Sequence, residues 1–340
     1  MSTLNVNTIN AATSGQGVAV DVQNPRSFRN LIINGSYQIN QRGDQTGIGG
    51  SSVYTLDRWL FGRENGSNST RWTISKTALA KTDLPYTAGH RNCMKLDCTT
   101  SSSNSGSNDT SYICQRIEGY NCSHLNWGNS GAKTLTLSFY AKTDGSTGTM
   151  CVSAFASKSY AKEITLSNSW QKFTVEIDGN TADEISHNNA NGLQLMFVLH
   201  SGSDHEISAG SWSSGFDCST SNQVNFGSST SNNIYIAGVQ LEAGSYATSF
   251  EMRSYGDELD RCQRYYQAQT DYHHICVNNG ESDRWIRFMK PMRAAPTVTT
   301  SPTNSVSFAA QNQQKEGFAG NGSGSGSSNF NLEWTASAEL

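Results

Sequence analysis

Residues Thr134-Leu-Thr-Leu-Ser-Phe139 decide the fold. Leu135, Leu137 and Phe139 alternate with Thr134, Thr136 and Ser138, the period-two pattern of a strand with one face toward a core and the other toward water. The pattern recurs along the chain. Phe173, Val175 and Ile177 alternate with Thr174 and Glu176, just after Trp170. Leu193, Leu195, Phe197 and Leu199 form the longest stripe, with Gln194, Met196 and Val198 between them. Ile234, Ile236 and Gly238 alternate with Tyr235, Ala237 and Val239, which predicts a strand covered on both faces. Gly, Ser and Asn runs separate the stripes. Each stripe shields only one face, so two sheets must close on each other. The reading is an all-β chain built on an antiparallel β-sandwich of the jelly-roll type.

Composition fits that reading and narrows the function. The chain has 340 residues, of which 15% are charged, with 31 Gly and only 5 Pro. That is turn chemistry spread between short strands. A net charge of −4 gives no basic footprint, so no nucleic-acid partner is expected. No stretch approaches the roughly 20 apolar residues needed to cross a bilayer, so no membrane insertion is expected. The N-terminus, MSTLNVNTINAATSG, has neither a basic nor an apolar leader region, which points to synthesis in the cytoplasm. The eight cysteines are therefore expected to be buried thiols. Cys93, Cys98, Cys114 and Cys122 contain no C-x-x-C, so neither a metal nor any other cofactor is expected there.

Four segments follow. Residues 1–29 read as an N-terminal anchoring arm whose Leu4, Val6 and Ile9, with a small strand at 18–22, cannot form a core alone and need a partner. Residues 30–253 are the sandwich. Residues 254–268 are a connector helix, with Asp257 as its cap and Leu259, Cys262 and Tyr265 or Tyr266 on one apolar stripe. A helix of about ten residues is too short to hold itself, so the stripe needs a tertiary or inter-chain surface. Residues 269–340 return to strands: Trp285-Ile-Arg-Phe288, Val298, Val306, Phe308, and Phe330, Leu332 and Trp334 in alternation. The glycine-serine run 320–328 reads as a flexible loop. Roughly 70 residues give only a marginal core, so oligomerisation is an expected supplement.

An ordered set of short blocks then stands out: Asn30-Leu-Ile-Ile-Asn-Gly-Ser-Tyr-Gln-Ile-Asn-Gln-Arg-Gly43, Leu56-Asp-Arg-Trp59, Leu135-Thr-Leu-Ser-Phe-Tyr-Ala-Lys142, and Gly238-Val-Gln-Leu-Glu-Ala-Gly244 leading to Ala247-Thr-Ser-Phe-Glu251. Glu258-Leu-Asp-Arg-Cys-Gln-Arg-Tyr-Tyr266, Pro291-Met-Arg-Ala-Ala-Pro296 and the opening Leu4-Asn-Val-Asn-Thr-Ile9 complete it. Together they resemble phage virion proteins of the tail-fibre and receptor-binding type, common among marine and cyanobacterial viruses. The resemblance implies a carbohydrate-binding-module-like jelly roll carried on a virion, usually as a homotrimer. It transfers no catalytic motif. The chain departs from the family where an aromatic-proline wording gives way to Ala247-Thr-Ser-Phe250, and its N-terminal part is short for a long fibre.

The scan for chemistry is mostly negative. Gly128-Asn-Ser-Gly-Ala-Lys-Thr134 lacks the Gly-Lys-Ser/Thr adjacency of a phosphate loop and reads as a turn. Asp204-His-Glu206 and Asp178-Gly-Asn-Thr-Ala-Asp-Glu184 read as polar loops without metal spacing. His273 and His274 point to opposite faces of a strand. Arg42-Gly-Asp44 spells an integrin-type tripeptide, but Arg42 and Gly43 belong to the framework blocks and Asp44 completes it by chance. Sugar binding needs flat aromatic faces beside hydrogen-bonding groups, and Trp127 and Trp212 lie in polar loops where such a face could be shown. The expectation is a non-enzymatic virion subunit, a tail fibre or receptor-binding protein adhering to host glycan. Leu4, Val6, Ile9, Leu259, Cys262, Tyr265 and Tyr266 would serve assembly, with other virion proteins as partners. The competing readings are a decoration or adaptor subunit without glycan binding, and a depolymerase using paired carboxylates.

Overall fold

The computed structural model describes residues 29–50, 52–64, 69–103, 106–276, 282–302, 307–323 and 328–340. Leu4, Val6 and Ile9, and with them all but residue 29 of the N-terminal arm, lie outside the described residues, as does Val306. Two antiparallel sheets face each other. The first has six strands in the order Gln45–Ile48, Arg71–Ala78, Asn92–Thr100, Asn233–Ala243, Leu135–Asp144 and Gln171–Ile177. The second has seven: Trp212–Ser214, Lys158–Leu166, Gly148–Ala156, Asn191–Ser201, Thr110–Glu118, Leu60–Glu64 and Val53–Tyr54. The chain is an all-β jelly-roll sandwich, as the stripes require.

Those stripes supply the core. Leu135, Leu137 and Phe139 meet Leu193, Leu195, Phe197 and Leu199 between the sheets, together with Trp59 and Trp72. Phe139 and Phe197 pack edge to face at 5.0 Å. The apolar residues between the inward positions of the longest stripe also have a place. Met196 and Val198 sit on the outer face of the seven-stranded sheet, covered with Cys114 and Cys151 by Cys218 and Phe216. That face is closed by the chain's own loop.

One strand departs from the simple alternation. In Asn233–Ala243, Ile234 and Ile236 point inward, but the register shifts between Ala237 and Gln240, and Val239 and Leu241 then join the core. Gly238 sits in this bulge with φ +59°. An extra residue in one strand reverses side-chain parity. Tyr235, between the two inward isoleucines, is on the outer face and only partly buried, whereas every residue from Ile236 to Glu242 is buried, so the strand is covered on both faces over that stretch.

The polar residues of the shared blocks tie the entry and exit segments together. Asn30 Nδ2 donates to the Val239 carbonyl, and its Oδ1 accepts from the backbone of Ile32 and Leu241. Asn34 bridges Ile39 and Asp57 in the same way. Asn30 and Asn34 of these blocks thus serve architecture.

The connector is the helix Tyr255–Gln263. Its cap is Ser254 rather than Asp257: Ser254 is extended, and its Oγ accepts from the Asp257 N–H at 3.1 Å and donates to the Asp257 carboxylate at 2.8 Å. Asp257 is the third helical residue and complements the N-terminal dipole. Leu259, Cys262 and Tyr265 pack on Ile33, Ile39 and Leu340 of the same chain. Tyr266 lies under the Arg42 guanidinium, 3.6 Å from the ring centre.

Beyond the helix, two three-stranded sheets form the C-terminal β unit. Ser328–Ser337 is central between Tyr266–Cys276 and Thr297–Pro302, and Gly317–Ser323 is central between Ser282–Arg287 and Ser307–Gln314. Their core holds Ile286, Phe288, Met292, Phe308, Phe318, Leu332 and Trp334. The glycine-serine run is thus part strand, because Gly320–Ser323 continues Gly317–Ser323. A Cβ on Gly320 would overlap the Phe308 ring, so the glycine there makes room for the core.

This unit is clasped to the sandwich. Glu339 pairs with Arg42 at 3.0 Å and with Arg58, a guanidinium only 1% exposed that also stacks on Tyr265 and donates to the Arg116 carbonyl. Arg116 and the Tyr54 hydroxyl donate to the Leu340 oxygen at 2.5 and 2.6 Å. Arg264 makes a double hydrogen bond to Glu118 at 2.8 and 2.9 Å, and Tyr265 donates to the same carboxylate. Of the Arg42-Gly-Asp44 tripeptide, Arg42 is committed to Glu339 and Tyr266, whereas Gly43 and Asp44 are exposed, with Asp44 accepting from Asn40 and the Lys76 N–H. Seven cysteines, Cys93, Cys98, Cys114, Cys122, Cys151, Cys218 and Cys262, are buried free thiols.

Candidate functional site

The seven-stranded sheet is roofed by its loop; on the outer face of the six-stranded sheet Gln240, Glu242 and Ser138 are covered, while Ser75, Lys95, Tyr140, Lys142 and Tyr235 stay partly exposed. Strand pairing sets what stands on it. Tyr235 lies opposite Lys95 on one neighbour and Lys142 on the other, and Lys95 lies opposite Ser75. Trp170 enters the edge strand beside this row. One line of side chains therefore crosses the sheet: Ser75, Lys95, Tyr235, Lys142 and Trp170. Directly opposite residues share a face, which makes cross-strand rows the unit of such a surface. A second row places Lys172 opposite Tyr140, and Tyr140 opposite Ala237.

The aromatic rings are held by cations and by each other. Trp170 and Tyr235 meet edge to face at 6.2 Å, and Lys142 Nζ lies 4.6 Å from the Tyr235 ring and 5.9 Å from the Trp170 ring. Arg91 sits 4.1 Å from the ring of Tyr86, which joins Tyr140, Trp170 and Tyr235 around Leu79, Cys93 and Ala237. Lys142 pairs with Asp144 at 3.5 Å and Lys95 with Asp97 at 3.4 Å. Burial, with the Asp144 carboxylate accepting from its hydroxyl, pushes Tyr235 well above the ordinary phenol value, so it stays a neutral donor. The result is a partly exposed aromatic strip edged by alternating ammonium and carboxylate groups.

A hollow of about 180 Å³ opens at one end of the strip, lined by Ala88, His90, Ser138, Tyr140, Lys172 and Phe250 among others. His90 is 1% exposed. Its Nδ1 shares a 2.7 Å hydrogen bond with Ser36 Oγ, while Nε2 has no partner. Phe250 packs edge-on against the imidazole at 4.6 Å, and Tyr140 does so at 5.8 Å. Burial first, and then the charges of Arg91 and Lys172, lower the His90 pKa to about 4, leaving the ring neutral at pH 7. Gly238 borders the same hollow, and a Cβ on it would overlap His90 Nε2. The strand bulge and the histidine fit together.

The two tryptophans singled out in the sequence are brought together elsewhere. Trp127 and Trp212 meet edge to face at 5.2 Å, and Trp212 also touches Tyr160 at 5.1 Å. Trp127 is 3% exposed and gives its indole N–H to the Lys133 carbonyl; Trp212 is partly buried and gives its own to the Asp178 carbonyl. Beside Trp127 lies a cleft of about 270 Å³ with Ser123, Asn126, Asn129, Glu184 and His187 on its walls. Asn180 folds the 178–184 loop by accepting from the backbone of Ala182 and Asp183, and Lys158 pairs with Asp183. In the 204–206 loop both His205 nitrogens meet backbone carbonyls, those of Phe216 and Asn108. No group of three His, Cys, Asp or Glu side chains among the described residues is set to hold a metal ion. His273 and His274 lie on strand Tyr266–Cys276, with side chains outside the described residues.

Tyr86, His90, Tyr140 and Tyr235 were not singled out from the sequence. For Tyr140 a signal existed: in Leu135-Thr-Leu-Ser-Phe-Tyr-Ala-Lys142 the residues between the inward stripe are Tyr140 and Lys142, an aromatic followed by a cation on the solvent face. Trp170 adjoins a strand, a setting that by itself gives no sign of which face it takes.

No protein-family model matches the chain, and no curated protein matches it. Among solved structures it is similar to a CBM4, at 16% identity and TM-score 0.33, covering 62% of this chain and 97% of that one. It is also similar to the enzymatically active domain of tailspike protein 4 of bacteriophage CBA120, at 13% identity and TM-score 0.33, covering 63% and 21%. A third is the CBM22-1 xylan-binding domain of Paenibacillus barcinonensis Xyn10C, at 7% identity and TM-score 0.31, covering 64% and 96%. Likeness at this level bears on neither ligand nor role.

Proposed function

We propose that this chain is a non-catalytic adhesion subunit that holds surface glycan on the outer face of its six-stranded sheet, as part of a phage tail fibre or receptor-binding assembly. The observation that carries the glycan reading is the row Lys95, Tyr235, Lys142 and Trp170, with Tyr140 alongside. Pyranose rings offer C–H faces that pack on aromatic surface and hydroxyls that need donors and acceptors, and this strip supplies both. The sheet fixes the spacing, so little side-chain order is lost on binding. An open strip gives modest affinity per copy, and several copies on one fibre would multiply it.

The virion setting is supported by the ordered sequence blocks. In this reading the N-terminal arm, with Leu4, Val6 and Ile9, anchors the subunit to other virion proteins, and copies associate as a trimer. The connector stripe of Leu259, Cys262 and Tyr265 is already docked within its own chain, so the copies would meet through other surfaces.

The test is binding of the purified chain to a glycan array and to host-cell polysaccharide, with Trp170→Ala and Tyr235→Ala compared against the native protein. Each truncation should weaken binding about tenfold or more, the size expected for a central aromatic contact. Unchanged binding in both variants would refute the sheet-face site. Release of reducing ends from the polysaccharide would replace adhesion with cleavage. Sedimentation of the full chain as a monomer that joins no virion component would remove the fibre assignment.

A further inference from the structure

We propose that the hollow between His90, Lys172 and Phe250 receives the carboxylate of an acidic sugar, so that the glycan held on the strip is a carboxylated one; this rests on the sheet-face reading above. Three features of the hollow converge. The first is space: about 180 Å³ is far above the roughly 10–15 Å³ that a single water needs.

The second is a buried, unused hydrogen-bonding group. His90 Nε2 has no partner, whereas buried polar atoms in folded proteins are nearly always satisfied. Ser36 Oγ and His90 Nδ1 share one hydrogen bond, and the tautomer in which the hydroxyl donates puts the single ring proton on Nε2, beside Gly238 on the hollow's wall. The imidazole cannot easily swing away, because Phe250, Tyr140 and the bare Cα of Gly238 fit around it.

The third is charge. Lys172 stands exposed at the rim, and no carboxylate among the described residues forms a salt bridge with it. Arg91 adds a second positive charge near the ring. The acidic groups around the corner are already engaged. Asp144 and Asp97 pair with Lys142 and Lys95, and Glu242 accepts from Gln240, from the Thr248 N–H and from the Thr248 hydroxyl. A ligand carboxylate would therefore meet an ammonium, a ring N–H and the hydroxyl of Ser138 or Ser249. Charge-assisted hydrogen bonds of this kind outweigh those to a neutral hydroxymethyl group.

The experiment compares a panel of uronate oligosaccharides (oligogalacturonates, alginate oligomers and hyaluronan fragments) with the same oligomers after their carboxyls are reduced to hydroxymethyl groups. Native protein should bind at least one carboxylated member about tenfold or more tighter than its reduced counterpart. Lys172→Gln, on an exposed edge-strand position, should largely abolish that ratio, and Lys172→Arg should restore much of it. Bound uronate should also raise the His90 pKa from about 4, followed by its ring proton shifts in NMR, because a nearby anion favours the imidazolium. Equal binding of both series, with Trp170→Ala still abolishing it, would overturn the carboxylate assignment and leave the sheet-face site standing. Binding that is indifferent to Trp170 and Tyr235 would overturn both. Failure of every carboxylated member to bind would overturn the inference directly.

Discussion

Substituting Gly238 by alanine is the sharpest probe of how the strand bulge and the hollow depend on each other. Two costs add at this position. Gly238 has φ +59°, a left-handed conformation that disfavours a side chain by about 1–2 kcal/mol. The new methyl would also overlap His90 Nε2, and forcing a group into a filled site costs about 1–3 kcal/mol more. The expected loss is therefore about 2–5 kcal/mol, or a Tm fall of roughly 4–20 °C for a domain of this size. Urea denaturation followed by tryptophan fluorescence, with constant m, measures it. A double-mutant cycle separates the terms. In His90→Ala the imidazole is gone, so adding Gly238→Ala should cost only the backbone part, and the two changes should be non-additive by about 1–3 kcal/mol. Gly238→Ala with stability within about 0.5 kcal/mol of native would refute the strained bulge, and additivity in the cycle would refute the contact with His90.

Three further outcomes follow from the clasp and the buried groups. Arg58→Met should destabilise by about 3–5 kcal/mol in thermal unfolding, because it leaves Glu339 buried with Arg42 alone, whereas the joint change Arg58→Met with Glu339→Leu should recover much of the loss. Although burial pushes the Glu118 pKa up, hydrogen bonds from Arg264 and Tyr265 and the charges of Arg264 and Arg293 hold it below the usual 4.5. Its stabilisation is thus complete above pH 4.5 and lost as pH falls through the lower folded value; Glu118→Gln should flatten that part of a stability–pH profile. His90 runs in the other charge sense: its pKa is lowered from 6.5 to about 4, so the unfolded chain takes up a proton that the folded one refuses, and stability should fall as pH drops from 6.5 to 4. Replacing His90 by glutamine should remove that slope.

The sandwich was legible because its inward stripes, Leu135 to Phe139 and Leu193 to Leu199, obey strict alternation, and alternation is what a two-layer core demands. Gly238 was not legible as a bulge. A glycine in period with Ile234 and Ile236 reads as one more inward position, and only the pairing with Leu135–Asp144 reveals the extra residue. Ser254 was hidden as the cap behind Asp257 for a related reason, since both are good capping residues and only the backbone turn decides between them. Gly320 read as linker because glycine in a serine-rich run carries no sign of the ring that packs against it. The site was harder still. Tyr235, Lys142 and Trp170 come from three separate segments, and register alone aligns them in a row. Trp127 and Trp212 drew notice for the polar residues around them, yet local polarity says nothing of how deep a ring lies. His90 follows a short helical turn at Leu84–Thr87 with no motif, and its role comes from Phe250, some 160 residues on.

The clasp has a consequence for the order in which the protein is made. Arg58 and Glu339 are 281 positions apart, so the guanidinium that ends up nearly sealed must wait through most of translation before its counter-ion leaves the ribosome. Until then the patch of Arg42, Arg58 and Arg116 stays hydrated, and the sandwich carries a cationic docking spot with nothing in it. Contacts this distant along the chain form late and slowly. The clasp is therefore among the last contacts the sandwich makes, and it closes only once the final residues are free to reach it.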